Sequence, residues 1–222
     1  MNKEEKFEQL SCLAQKLGLS PQEVGEYFLS KTGKDPSSPV TYKTPEQVLP
    51  GMYVYADGLI STELIAGRQV KAVVGYVEDK TVYAVCLQEE YLPWSGDWLE
   101  AGVTQNMTDG QKATRKILEI SRKQRQKAEA AQWCYDYAED GVKQGEAFLA
   151  SIDEWKKLFV NAVAINVSFK ALSAALLEGW YWSSTECNNI GAWKFGVSYG
   201  GRAYYGKYNN YIYVRPVLKI QL

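Results

Sequence analysis

Apolar residues recur at helical spacing near the start of the chain, at Phe7, Leu10, Leu13, Ala14 and Leu17. Gly18 ends that run, and Ser20-Pro21 opens the next as an N-cap followed by a first-turn proline. Val24, Tyr27, Phe28 and Leu29 then supply a second apolar face. The pattern predicts a helical hairpin over residues 1–33, and KDPSSP places a linker over residues 34–44. A helix pair this small cannot bury its own apolar faces, so a docking or oligomerising role is expected for it. From Gly51 the period shortens to two. MYVYADGLIST reads as a hairpin closed by Asp57-Gly58, and KAVVGYVEDKTVYAVCL as a second hairpin turning near Glu78-Asp79-Lys80.

In YLPWSGDW, Pro93 and Gly96 interrupt regular structure, and Trp94 and Trp98 are expected to pack rather than bind. One helix is predicted to open at Thr108 or Asp109, and another to run through QKAEAAQWCYDYAE with Cys134 filling core space. A short strand, AFLAS, leads to Ser151, and Glu154 three positions on completes a capping-box signature. A single helix is predicted from there through DEWKKLFVNAVAINVSFKAL. WYWSST, AWKFGV and YVRPVLKIQL follow as short strands, whereas RAYYGKYNNYIY carries no buried-strand pattern before Ile212 and Val214. The expected class is α+β, with the main domain spanning residues 45–222.

Composition narrows the chemistry more than it shapes the fold. Histidine is absent, which removes Ser-His-Asp and Cys-His nucleophiles, His-ligated zinc and imidazole proton shuttles. Cys12, Cys86, Cys134 and Cys187 form no CxxC pair, and the start MNKEEKFEQL lacks the apolar run of a signal peptide. The thiols are therefore expected reduced, in a chain synthesised in the cytoplasm. No stretch approaches the roughly 20 apolar residues of a membrane span, so no membrane insertion is expected. A net charge of -1 gives no pull toward nucleic acid. The basic run from Lys112 to Lys127 is interrupted by Glu119 and reads as a solvated helix face. Glu89/Glu90 and Glu139/Asp140 lack calcium-loop spacing. No catalytic residue, cofactor or metal is expected.

The order of pieces in the second half carries a resemblance. TDGQKAT, AAQWCYDYAE, ASIDEWKKLF, YWSSTE, AWKF and YVRPV follow one another from residue 108 to residue 217, within a likeness that covers about residues 45–222. This series resembles a bacterial and phage branch of the C-type-lectin-like fold, and within it the variable proteins of diversity-generating retroelements. The sequence departs from that pattern at ASIDEW, where the family has Pro and Leu. The resemblance implies a C-type-lectin-like scaffold behind an N-terminal helical hairpin, with a variable segment at 187–213 rewritten by adenine-directed errors. Such errors do not produce Trp or Lys, so Trp193, Lys194 and Lys207 would be frame positions. The calcium-dependent sugar motifs of true C-type lectins are absent. Cys187, without a second cysteine or a histidine nearby, does not match the formylglycine-generating oxidases that share the fold.

Of the 27 residues in that segment, 16 are Tyr, Asn, Gly or Ser. Antibody loops draw on the same set, because tyrosine gives large amphipathic contact area at low entropy cost and small polar residues adapt their hydrogen bonds. Alternation in AWKFGVS puts Trp193, Phe195 and Val197 on a core face, and Lys194, Gly196 and Ser198 toward solvent. The expected ligand-binding residues are Asn188, Asn189, Gly196, Ser198, Tyr199, Gly201, Ala203, Tyr204, Tyr205, Tyr208, Asn209, Asn210, Tyr211 and Tyr213. Three cations and no acid in the segment favour an anionic or carbonyl-rich ligand. The expected partner is a variable ligand, a protein or cell-surface receptor, met by a non-enzymatic protein for which virion association is an expectation. A fixed-specificity adhesin or glycan-binding domain of the same fold is the alternative.

Overall fold

Asp57 accepts the backbone N–H of Leu59 at 3.1 Å and so closes the first hairpin, β1 (Tyr53–Tyr55) with β2 (Ile60–Ser61). Asp79, at φ 52°, turns β3 (Val70–Glu78) onto β4 (Thr81–Cys86); short acidic side chains tolerate that left-handed backbone better than most. Both hairpins stand where the pattern places them. The computed structural model describes residue 44 and residues 46–208 and 210–222. The expected helical hairpin, Cys12 and nearly all of the linker lie outside them.

After β5 (Glu90–Leu92), Asp109 caps α1 (Gly110–Gln124) by accepting from Lys112 N–H at 3.0 Å. Helix α2 (Glu129–Asp136) and strand β6 (Ala147–Leu149) precede α3 (Ile152–Val160). The capping box is present, with Ser151 Oγ accepting from Glu154 N–H at 3.2 Å and Glu154 Oε2 from Ser151 N–H at 2.7 Å. The single helix expected beyond it is two. Asn161, at φ -111° and ψ 12°, ends α3 and opens α4 (Ala162–Ala171). The break lets Ile165 and Phe169 of α4 join the same core that Trp155 and Leu158 of α3 enter.

The last five strands are β7 (Trp180–Glu186), β8 (Gly191–Gly196), β9 (Gly201–Gly206), β10 (Ile212–Val214) and β11 (Pro216–Gln221). One sheet has the order β2-β1-β3-β4-β11-β6 and the other β5-β10-β7-β8-β9. With four helices among the described residues, the class is α+β. Strand β9 is an addition to the sequence-based expectation. It is an edge strand with water on both faces, so nothing requires an apolar–polar alternation there.

Helix α3 fills the space between the sheets. Trp155 and Leu158 lie with Val73 and Val85 of the first sheet and Tyr181 and Phe195 of the second. Gly75 of β3 makes room for it, since a Cβ there would overlap the Leu158 side chain. On its other face the second sheet packs Trp182 and Ala192 against Trp94, Leu99 and helices α1 and α2. Indole N–H groups tie the layers together. Trp94 donates to Ser183 O at 2.9 Å, Trp155 to Trp182 O at 3.0 Å, and Trp182 to Leu92 O at 3.1 Å. Burying each ring this way leaves its one polar atom satisfied. Cys86 and Cys134 are buried free thiols, and burial pushes both up from the usual thiol range.

Candidate functional site

Strand β7 sets the frame of the C-terminal surface. Tyr181, Trp182, Ser183, Ser184, Thr185 and Glu186 are all buried, and β8 pairs with it in the register Trp180↔Gly196 and Trp182↔Lys194. β9 then pairs with β8, Ala192 opposite Tyr205 and Trp193 opposite Tyr204. Residues directly opposite share a face, so the adjacent Tyr204 and Tyr205 point to opposite sides of the sheet. On β9 the display therefore wraps an edge of the five-stranded sheet and does not lie on one plane.

Six tyrosines of the segment, Tyr199, Tyr204, Tyr205, Tyr208, Tyr211 and Tyr213, are exposed, from 72% at Tyr199 to 39% at Tyr213. They gather in small aromatic groups. Tyr199 stacks on Trp180 with centroids 5.4 Å apart, and Tyr204 meets Trp193 edge-on at 5.9 Å. Tyr211 and Tyr213 flank Tyr91 of β5 at 5.9 and 5.2 Å, and Tyr208 lies 5.6 Å from Trp98. Tyr91 and Trp98 are site residues absent from the sequence reading. Trp98 corrects the expectation that both tryptophans of YLPWSGDW pack, for Trp94 is 1% exposed and Trp98 56%. The tilted pairings fit the offset geometry that aromatic quadrupoles favour.

Other expected contact residues divide between display and support. Gly196 is buried beneath the rings of Tyr199 and Trp180, so it props the surface and offers no side of it. Asn188 Oδ1 accepts from Ile190 N–H at 3.0 Å and Gly191 N–H at 2.8 Å, holding the β7–β8 turn. Asn210 Nδ2 donates to Gly206 O at 3.0 Å and Tyr208 O at 3.1 Å, holding the loop after β9. Ser198 is exposed, its Oγ accepting from Gly179 N–H at 2.9 Å. Asn189 is exposed, Ala203 half-buried, and Gly201 open to solvent on the side where a Cβ would stand. Asn209 lies outside the described residues. The alternation in β8 is partly blurred, since Phe195 and Val197 are buried while Trp193 and Lys194 on opposite faces are both half-buried.

The three cations of the segment have separate fates, which reduces the anionic bias read from their count. Lys207 is fully buried and pairs with Glu186 at 2.6 Å. Its ammonium also donates to Leu99 O at 2.8 Å and Asn189 O at 3.1 Å, and stands 4.9 Å from the Trp94 ring centroid. Glu186 in turn accepts from Ala101 N–H at 3.0 Å and Val103 N–H at 2.6 Å. This fully bonded pair fastens the start and end of the segment to the 94–103 loop. Lys194 lies between Trp180 and Tyr205, 4.4 and 4.5 Å from the ring centroids, and partial burial holds its ammonium below the usual lysine range. Arg202 is exposed, lies 4.7 Å over Trp193, and donates from Nη1 to Gln105 Oε1 at 3.2 Å.

Among the described residues no group of three or more Cys, Asp or Glu is placed to hold a metal ion. No helix among them is long and apolar enough to cross a membrane. Beside β9, a shallow cavity of about 460 Å³ opens between α3 and the sheet, lined by Lys156, Phe159, Phe195, Gly200, Gly201 and Arg202.

No family model matches the chain, and no curated protein matches it. Among solved structures, the chain is similar to the crystal structure of a fimbrial protein from Bacteroides ovatus ATCC 8483, with a TM-score of 0.62 and 16% sequence identity. The likeness covers 78% of this chain and 49% of that one, so the chain spans about half the length of the fimbrial protein. At that identity the likeness is one of fold.

Proposed function

We propose that this protein is a non-enzymatic binder, whose segment 187–213 displays a diversified Tyr/Asn/Gly-rich surface on a C-type-lectin-like scaffold. One observation carries the reading. Residues of the family-like frame motifs, Trp182, Glu186, Val214 and Arg215, are buried, while the tyrosines between them meet solvent. A surface tolerant of rewriting needs this separation, because exposed side chains change with little cost whereas buried ones do not. Lys207 fits it from within the segment, as a lysine that adenine-directed errors do not produce and that the core requires. Rigid strands beneath the rings limit the ordering cost of binding, which favours a protein or cell-surface receptor as ligand. Presentation on a virion or other assembly through residues 1–33 belongs to the same proposal.

Sequencing the locus in sibling isolates tests the diversification. The expected result is substitution confined to exposed positions of 187–213, at adenine-bearing template sites beside a reverse transcriptase gene, with Trp193, Lys194 and Lys207 constant. Changes scattered along the chain would overturn it. A second reading is a fixed-specificity adhesin or glycan-binding domain of the same fold, favoured by the shared fold with a fimbrial protein. It predicts a constant segment in those isolates.

A further inference from the structure

The cavity beside β9 has an apolar floor and a charged rim. Phe159 of α3 and Phe195 of β8 form the floor, their centroids 5.5 Å apart. Two glycines at positions 200 and 201 leave the cavity open. A Cβ on Gly200 would stand 2.8 Å from the Phe159 ring, at a φ of 65° that disfavours side chains anyway. On Gly201 a Cβ would meet nothing within 4 Å. The two rim cations differ in what they have left to give. Lys156 is already paired with Asp153 at 2.5 Å. Arg202 is held in place by the Trp193 ring and Gln105, and forms no ion pair with a carboxylate of the described residues. A guanidinium with a free donor edge, fixed beside an apolar hollow, suits a carboxylate carried on an apolar body.

We infer that this cavity is an anchor subsite for a carboxylate on an aryl or other apolar ring, the ring lying on Phe159 and Phe195 and the carboxylate on Arg202. The specificity rests on position 200 as well as on the arginine. A side chain there would crowd the Phe159 ring of the floor, so glycine at that position keeps the subsite open. Binding here is measured on this one sequence with free acids. Its failure would leave the locus experiment untouched, and a constant locus would leave this subsite standing.

Titrating isotope-labelled full-length protein with phenylacetate, phenylacetamide and glucuronate, read by amide and indole NMR shifts, tests the assignment. Phenylacetate should shift the Trp193 indole and the Gly200 and Gly201 amides saturably, with Kd of about 1–10 mM for a ligand of its size at ordinary efficiency. Phenylacetamide, which lacks the charge, and glucuronate, which lacks the apolar body, should each bind at least about 10-fold more weakly. Arg202→Gln should weaken phenylacetate by a similar factor. Gly200→Ala, whose Cβ would stand 2.8 Å from the Phe159 ring, should weaken it as well. No saturable shift with phenylacetate, equal affinity for the amide or the sugar acid, or undiminished binding in either variant would overturn the inference.

Discussion

Two buried charges show how single residues set stability in opposite ways. Lys207→Ala would leave the Glu186 carboxylate 4% exposed, with only backbone N–H partners. Breaking a buried pair this way costs about 3–5 kcal/mol, whereas replacing both members with neutral groups of similar shape is often near neutral. Urea unfolding should therefore show a large loss for Lys207→Ala and recovery of most of it in Lys207→Met with Glu186→Gln. Similar losses in the single and double variants would mean that the pair's charge is not what matters. Glu154 is the opposite case. Burial pushes its carboxyl up to about 7, against the pull of the Ser151 and Gly110 N–H groups. The unfolded carboxyl, at the usual value of 4.5, ionises first as pH rises. The folded state then holds the extra proton, so stability falls between about pH 4.5 and 7 and levels off above. The full loss is about 3 kcal/mol. Glu154→Gln keeps an acceptor for the cap and removes this slope, which urea midpoints at pH 4.5 and 8 for the two proteins would register. Equal pH dependence in both would show that Glu154 titrates normally.

At the scale of elements, frame and display should separate in a thermal scan. Changing Tyr204, Tyr205, Tyr208 and Tyr211 together to Ser removes exposed rings from an edge strand and the loop after it. The expected cost is under about 2 kcal/mol, from lost strand propensity and partial packing. Trp182→Ala, two strands inward, should cost about 3–5 kcal/mol. A tyrosine variant that melts as low as the tryptophan variant would make those rings part of the core. The elements most legible in the sequence are those fixed by near neighbours. Asp57-Gly58, Asp79, the Asp109 cap and the Ser151/Glu154 box each act within three residues, so the pattern shows them. The helix break at Asn161 is not legible, because the apolar spacing runs on through it and only the shared core of Trp155 and Phe169 explains the turn. Tyr91 and Trp98 escaped for a related reason. Their aromatic partners lie more than 100 positions away, and only the pairing of β5 with β10 and of Ser95 with Tyr208 brings them to the site. Strand β9 escaped because an edge carries no periodicity to read.

The two sheets meet in one short segment of chain. β10 belongs to the display sheet and β11 to the other, and Arg215 is the residue between them. Its side chain is fully buried. Nη1 donates to Leu87 O at 2.7 Å and Nη2 to Ala175 O, the guanidinium lies 4.6 Å from the Phe169 ring centroid, and Glu89 is 3.7 Å away. One cation thereby gathers the segment after β4, the segment after α4 and the crossing strand. A buried, multiply bonded arginine is a poor source of net stability but a strong determinant of which backbone groups meet. Arg215→Met would strand two carbonyls and a nearby carboxylate, at a cost of about 3–5 kcal/mol. Arg215→Lys keeps the charge without the planar fork and should lose about half of that. The location of the loss is the sharper test. Because Arg215 stands at the crossing, amide exchange should accelerate in β4 and β11 as well as in β7 and β10. Lys207→Ala, whose contacts are confined to the display loops, should loosen 94–103 and 187–208 and leave β3 and β4 protected. If Arg215→Lys disturbs the display sheet alone, the sheets are independently stable, and the rigidity of the tyrosine surface owes nothing to the sheet behind it. If both sheets loosen together, the display surface draws its order from the whole molecule.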